Sequence, residues 1–155
     1  MYKRQGKSLR LSVEATVPGS DLEYYVVNLE SNYYYPFTRK AALSLSGDLS
    51  YGDGYGDTDG LPFFKNFFAG GTTSVRGFEP RSLGPRDELD NPFGGAKRVL
   101  LKAALLLPVG DGALDKRLQL FVDGGQVFAN EEDVEFDDIR SVSYTHLTLP
   151  TIYSV

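Results

Sequence analysis

Apolar and polar residues alternate with a period of two along several stretches of this chain. From Ser8 to Val17 the alternation is strict, because leucine, valine and alanine occupy every second position and polar residues occupy the others. Side chains of a β-strand point alternately to the two faces of a sheet, so the pattern predicts a strand with one apolar and one polar face. Its length, about ten residues, is that of a tilted strand that crosses a membrane.

Four further stretches alternate in a similar way and predict four more strands: Tyr24–Phe37, Ala41–Tyr51, Val99–Leu107 and Arg117–Phe128. Helical periodicity is absent, so the predicted class is all-β with antiparallel strands. The pattern fits a segment of a transmembrane β-barrel or a soluble sheet. The aromatic run Tyr33–Phe37 would form an interfacial girdle in the first case and cover the edge of a core in the second.

The segment from Gly52 to Arg98 separates the third and fourth predicted strands. A connection of this length is far longer than usual and is typically functional or disordered. Leu61–Phe64 and Phe67–Phe68 are too apolar to remain solvated, which argues against disorder. We therefore expect the loop to pack against the sheet, and in a barrel the space for it is the lumen.

A single arginine, Arg76, lies in this loop among glycines, small hydroxyl residues and aromatic residues, with no acidic neighbour in sequence. Burying an unpaired cation costs several kcal/mol, so a buried Arg76 needs a partner from elsewhere in the fold. Taken by itself, the peptide also fits an exposed turn arginine. The acidic residue Asp123 would then be an ordinary residue at the end of a strand.

The peptide Val75-Arg76-Gly77-Phe78 resembles the loop motif of the BamA family of outer-membrane assembly factors. Pro62–Gly71 and Ser82–Pro85 are similar to the family in the same order. The resemblance implies a transmembrane barrel of about sixteen strands, of which this chain supplies about five, with the loop 52–98 entering the lumen. Ile139-Arg140 would begin the next strand.

The resemblance also implies a site at the loop tip. In the family the motif arginine contacts the inner wall of the barrel, and the matching wall residues here are Phe121 and Asp123. Their positions on the polar face of the fifth predicted strand agree with that assignment. The carboxylate would supply a charge-assisted hydrogen bond and the ring a cation–π contact.

The remaining motif residues have implied packing roles. Gly70, Gly71 and Gly77 would permit a close backbone approach, and Phe78 would anchor the loop tip beside Val75 and Arg76.

The strand after the loop departs from the family pattern. Relatives often carry a glutamate there as a second acidic contact, whereas the aligned residue is Ala104, beside Lys102 on the same face. Either Arg76 relies on Asp123 alone, or the alignment shifts by a residue.

Composition excludes several chemistries. The chain has no cysteine and a single histidine, His146, which removes Cys–His catalysis and the commonest zinc sites. A net charge of −5 without a basic stripe argues against nucleic acid as a partner. Asp53, Asp57 and Asp59 do not fit the spacing of a calcium loop, and the acidic segment 131–138 is interpreted as a solvated loop. We expect no catalytic site, no cofactor and no metal.

The implied function is the folding and insertion of β-barrel proteins into the outer membrane of a Gram-negative bacterium. The implied partners are unfolded outer-membrane proteins, lipoproteins of the assembly machinery and outer-membrane lipids. The alternatives are a TamA-like assembly factor or a two-partner secretion transporter of the same superfamily and, more remotely, a soluble β-sandwich binding module.

Both ends of the chain are predicted to be foreign. Met1–Gln5 can be encoded by GTG TAT AAG AGA CAG, with the initial GTG read as methionine at a start codon, and the reverse complement of that string reads Val-Ser-Tyr-Thr-His in another frame. The same peptide occurs at Val142–His146. Complementary ends are typical of an adapter ligated to both sides of a DNA fragment, so residues 1–5 and 142–155 are interpreted as adapter-derived. Residues 6–141 would then be a part of a barrel domain; the alternative is that 142–155 is a natural strand.

Overall fold

A computed structural model describes residues 6–38, 41–108, 117–130, 134 and 139–148. This part of the chain contains six strands: β1 (Gly6–Ala15), β2 (Tyr24–Pro36), β3 (Ala42–Gly54), β4 (Lys97–Pro108), β5 (Arg117–Phe128) and β6 (Arg140–Thr148). The first five correspond to the five predicted strands, and β6 begins at Arg140, where the resemblance places the start of a further strand. Among the described residues, no helix is long and apolar enough to cross a membrane.

The strands form one sheet in chain order, and each strand pairs antiparallel with the next. The predicted limits of β5 are those observed, whereas β1 ends earlier than the predicted Val17. The reason is local: the Thr16 backbone and hydroxyl both hydrogen-bond to the Tyr24 carbonyl, which closes the turn to β2. The third strand runs past the predicted Tyr51 because it pairs with β2 as far as Gly54.

The register sorts the alternating residues onto two faces. The inner face, defined here as the face that the long loop covers, carries Glu30, Asp48, Lys102 and Asp123 at successive strands. The outer face is apolar and open, and its exposed side chains include Leu9, Leu11, Val13, Leu45, Leu49, Leu101 and Val122. An exposed apolar face of this extent is unsuited to water and fits contact with lipid.

The buried core lies on the inner face. A cluster of Ala69, Val75, Leu83, Leu100 and Val127 joins the loop to β4 and β5. The loop between Gly54 and Lys97 contains one short 3₁₀-helix, Phe63–Lys65, and it pairs with itself at Ala69–Leu83. The expected packing of the loop against the sheet is therefore confirmed, and it leaves the outer face uncovered.

The last strand, β6, contains all of the described part of the C-terminal segment that the sequence predicts to be foreign. Residues 1–5 and 149–155 lie outside the described residues, so the structure bears on this prediction only through β6. The outward positions Ser143 and Thr145 are polar and exposed, whereas their partners on β5, Val122 and Leu120, are apolar. This change from apolar to polar residues between β5 and β6 supports the proposal that the natural sequence departs from this chain after Ser141.

Sequencing the source gene across both junctions tests that proposal. We expect the natural continuation after Ser141 to place apolar residues where β6 now has Ser143 and Thr145, because those positions face lipid. We also expect the residues before Gly6 to differ from Met1–Gln5. A gene that continues through Val142–His146 in frame would show that the C-terminal segment is natural.

Candidate functional site: the loop tip against the inner face of β5

The loop tip is attached to β5 by an ion pair with two parallel hydrogen bonds. The Arg76 guanidinium donates from Nε to Asp123 Oδ2 at 2.6 Å and from Nη2 to Oδ1 at 2.7 Å. The Arg76 backbone N–H donates to Oδ2 at 3.2 Å, which gives the carboxylate a third donor. The Asp123 side chain is fully buried and that of Arg76 is 32% exposed. This fork geometry is the strongest form of arginine–carboxylate contact, and it satisfies a carboxylate that water does not reach.

An aromatic ring supports the same guanidinium. Phe121 precedes Asp123 by two residues and therefore lies on the same face of β5, and its ring centroid is 3.5 Å from Arg76 Cζ. The structure thus brings together the three residues that the sequence and the resemblance assigned to the site. The hydrogen bond to Asp123 raises the pKa of Arg76 above its ordinary value, and the guanidinium is charged at every physiological pH.

The residue before the arginine occupies a recess in the strand. Val75 is fully buried, and a Cβ atom added to Gly125 would lie 2.9 Å from its Cγ2 and 2.6 Å from Leu100 Cδ2. Any larger residue at this position of β5 would therefore displace the loop or the neighbouring strand. Sequence reasoning missed Gly125, although a glycine inside a strand is a known sign of close backbone approach.

The predicted glycines shape the backbone of the tip. Gly70, Gly71 and Gly77 all have positive φ, and a Cβ atom at Gly70 would lie only 2.3 Å from the Glu79 carbonyl oxygen. Ser74 closes the same turn, because its hydroxyl donates to the Gly70 carbonyl and accepts from the Gly70 N–H. These glycines therefore permit a compact turn that an L-residue would strain.

The aromatic residue that ends the motif, Phe78, is partly buried and packs against the core cluster of the inner face. The described site thus contains every motif residue that the sequence predicted, each in contact with the loop itself or with the wall.

The neighbouring strand β4 places Ala104 and the cation Lys102 beside the motif residues of β5. In the register of β4 and β5, Ala104 lies opposite Phe121 and Lys102 lies opposite Asp123. Lys102 Nζ donates to the Thr73 carbonyl oxygen at 2.6 Å, which holds the loop backbone next to the motif. Among the described residues, Asp123 is the carboxylate that pairs with Arg76.

A second ion pair, Asp48–Arg98, lies on the same face beneath the middle of the loop. Arg98 Nη2 donates to Asp48 Oδ1 at 2.8 Å and to Ser50 Oγ at 3.1 Å, and its guanidinium lies 5.4 Å from the Phe67 ring centroid. The site therefore offers partly buried charge pairs and packing contacts. Such an arrangement can fix the position of a segment.

Comparison with known proteins identifies relatives over nearly the whole chain. Residues 3–145 match the Omp85 superfamily domain. The outer membrane protein assembly factor BamA of Neisseria meningitidis is 37% identical over 160 residues, which cover 99% of this chain and 19% of that protein. A SAM50-like protein of Schizosaccharomyces pombe is 39% identical over 61 residues, which cover 38% of this chain and 13% of that protein.

A solved structure shares the fold. The crystal structure of BamA from Haemophilus ducreyi lacking POTRA domains 1–3 superposes with a TM-score of 0.76 and 24% identity, covering 97% of this chain and 36% of that chain. The present chain therefore spans only a minor part of the length of these relatives, and its sheet corresponds to part of a barrel.

Replacing Gly125 with alanine in the full-length barrel should destabilise it by about 1–3 kcal/mol, because the added methyl overlaps Val75 and Leu100. The folded and unfolded forms of a barrel migrate differently in unboiled gels, so the midpoint temperature of that change measures the effect.

The matched control is Gly47→Ala on β3, where the nearest side-chain atom to an added Cβ is at an ordinary 3.6 Å. We expect the control midpoint to stay close to that of the parent protein. Equal losses in the two variants would contradict the recess at Gly125.

Proposed function

The chain belongs to the Omp85 superfamily, and from this membership we propose that it forms part of the barrel of an outer-membrane protein assembly factor. The complete protein would fold β-barrel proteins and insert them into the outer membrane. The observation that carries the proposal is the attachment of the loop tip to the inner face through Arg76 and Asp123. A sheet that is apolar outside and charged inside supports a membrane barrel as the setting.

The role proposed for the loop is to hold the wall of the barrel from inside. A barrel that inserts other barrels must deform without losing its own structure, and a packed loop resists deformation of the strands it contacts. The loop tip contacts β4 through Lys102 and β5 through Asp123, so it links two neighbouring strands. Arg76 would act as a positioning residue in this scheme, and the activity is assembly without covalent catalysis.

The partners proposed for the complete protein follow from that function. They are unfolded outer-membrane proteins as substrates, the lipoproteins of the assembly machinery, and outer-membrane lipids along the outer face. The outer face of β1–β5 supplies the apolar surface that the lipid contact requires.

The alternative functions differ in how well the fold supports them. A soluble β-sandwich needs a second sheet over the apolar face, and the described strands form a single sheet whose apolar face is open. A TamA-like assembly factor or a two-partner secretion transporter would share the barrel, so the choice among superfamily members rests on the named relative. The whole-chain similarity to an assembly factor favours assembly.

In the full-length protein, Arg76→Ala should lower barrel stability by about 2–3 kcal/mol, because it leaves the buried Asp123 carboxylate without its cation. This loss lies at or below the low end of the range for removing one partner of a buried ion pair. The reasons are that the Arg76 side chain is 32% exposed and that the backbone N–H of residue 76 still donates to Asp123. Complementation of a strain depleted of its own assembly factor, and folding of an unfolded barrel substrate into proteoliposomes, should both weaken.

Two further variants make this test specific. Arg86→Ala removes a charge from the same loop at an exposed ion pair with Asp90, and it should have little effect. The double charge swap Arg76→Asp with Asp123→Arg should recover part of the loss, although the backbone hydrogen bond to position 123 is not restored. A swap no better than either single change would refute the pairing, and full activity of Arg76→Ala would refute the role of the loop.

A further inference from the structure

A second group of charged and aromatic residues joins the loop to the inner face near the other edge of the sheet, at β1 and β2. Lys65, at the end of the 3₁₀-helix, donates to Glu14 Oε1 of β1, and Tyr24 of β2 donates its hydroxyl to the same oxygen at 3.0 Å. Lys65 Nζ lies 5.4 Å from the Tyr24 ring centroid. The ring of Phe64 meets that of Tyr24 edge to face, with centroids 6.4 Å apart and planes at 88°.

The inner-face register explains why these residues meet. Glu14 lies opposite Val26, two residues along β2 from the buried Tyr24, so the carboxylate and the phenol share the inner face. The 3₁₀-helix turns Phe64 and Lys65 toward that face after Pro62 starts the turn. The hydrogen bond that Lys65 donates to Glu14 raises the pKa of Lys65, with a smaller contribution from Tyr24, so the ammonium stays charged at neutral pH.

The start of the loop follows the same two strands. The Tyr55 N–H donates to the Glu23 carbonyl at 2.9 Å, and its hydroxyl donates to the Thr16 carbonyl at 2.5 Å. The Thr58 hydroxyl accepts from the Glu23 N–H at 2.9 Å. The chain therefore leaves β3, runs beside the turn that joins β1 to β2, and only then crosses to β4 and β5.

The two attachments are widely separated across the sheet. Strand β1 and strand β5 are four strand spacings apart, which corresponds to about 19 Å measured along the sheet. Between them the loop pairs with its own end through Phe67 and Gly95, and the Phe67 ring lies 5.4 Å from the guanidinium of Arg98 on β4. The loop, one continuous segment, thus contacts the inner face at β1 and β2, at β4 and at β5.

We propose that Lys65, Glu14 and Tyr24 form a second attachment that, together with Arg76–Asp123, makes the loop a tie between β1–β2 and β5. This proposal rests on the proposed function and adds the residues through which the loop sets the curvature of the wall. A tie restrains curvature only while both ends are held. Releasing either end therefore removes the same restraint, and releasing both removes little more.

The test uses the full-length barrel with Lys65→Met, Arg76→Ala and the double variant, assayed by substrate folding in proteoliposomes. Lys65→Met should reduce the folding rate about threefold, as expected for a partly exposed pair supported by an aromatic contact. The double variant should be no slower than Arg76→Ala alone. Losses that multiply in the double variant would show two independent contacts and overturn the tie.

Position is tested separately from activity. The chain has no cysteine, so Lys65→Cys with Glu14→Cys can be joined by a short bifunctional thiol reagent. We expect efficient joining in the membrane-inserted barrel, and joining no greater than for Lys65→Cys with Arg10→Cys would overturn the contact. Lys65→Arg should keep parental activity, because it retains the charge on Glu14, whereas Lys65→Arg as slow as Lys65→Met would exclude an electrostatic attachment.

The control variant is Arg10→Gln, which removes a charge from an exposed inner-face pair with Glu30 that joins β1 to β2. It should leave the folding rate unchanged, and a loss equal to that of Lys65→Met would show a general effect of wall charge. The proposed function fails on a different result, namely a parent protein that does not fold substrate at all.

Discussion

A carboxylate with no exposure to water is the constraint on which this structure depends. Asp123 lies on a strand whose other face is open and apolar, and burying an ionised group there is unfavourable unless donors surround it. Arg76 supplies three of these donors, two from its side chain and one from its backbone. The loop must therefore return to the inner face of β5, and its glycines and the recess at Gly125 allow it to approach closely enough.

The distribution of core and charge is inverted relative to a soluble protein. Apolar side chains of the sheet point outward and are exposed, while the buried cluster lies inside, between the loop and the wall. The polar inner face would be a poor core by itself, and the loop makes it one by adding Val75, Ala69 and Leu83. Stability of this region thus depends on a connection that in most folds could vary freely.

The loop contacts the inner face near both edges of the described sheet, and these contacts are the basis of its proposed role as a tie. The motif arginine contacts β5, Lys102 of β4 holds the backbone next to the motif, and the 3₁₀-helix contacts β1 and β2 through Lys65 and Phe64. Individually, partly exposed ion pairs contribute little to stability. Because these pairs lie on a single segment, they connect β1 and β2 with β5. Pairing between adjacent strands cannot make that connection.

The sequence by itself determined the strands, their two faces and the segment that had to be buried, because alternation and apolar content are local properties of the chain. The limits of β5 and the polar face carrying Phe121 and Asp123 followed directly from that period. Only the tertiary structure decided that Gly125 accepts Val75, that Lys102 donates to the Thr73 carbonyl, and that Lys65 reaches Glu14. These contacts join residues far apart in the chain, and their distances depend on the register and curvature of the whole sheet, which no local pattern encodes.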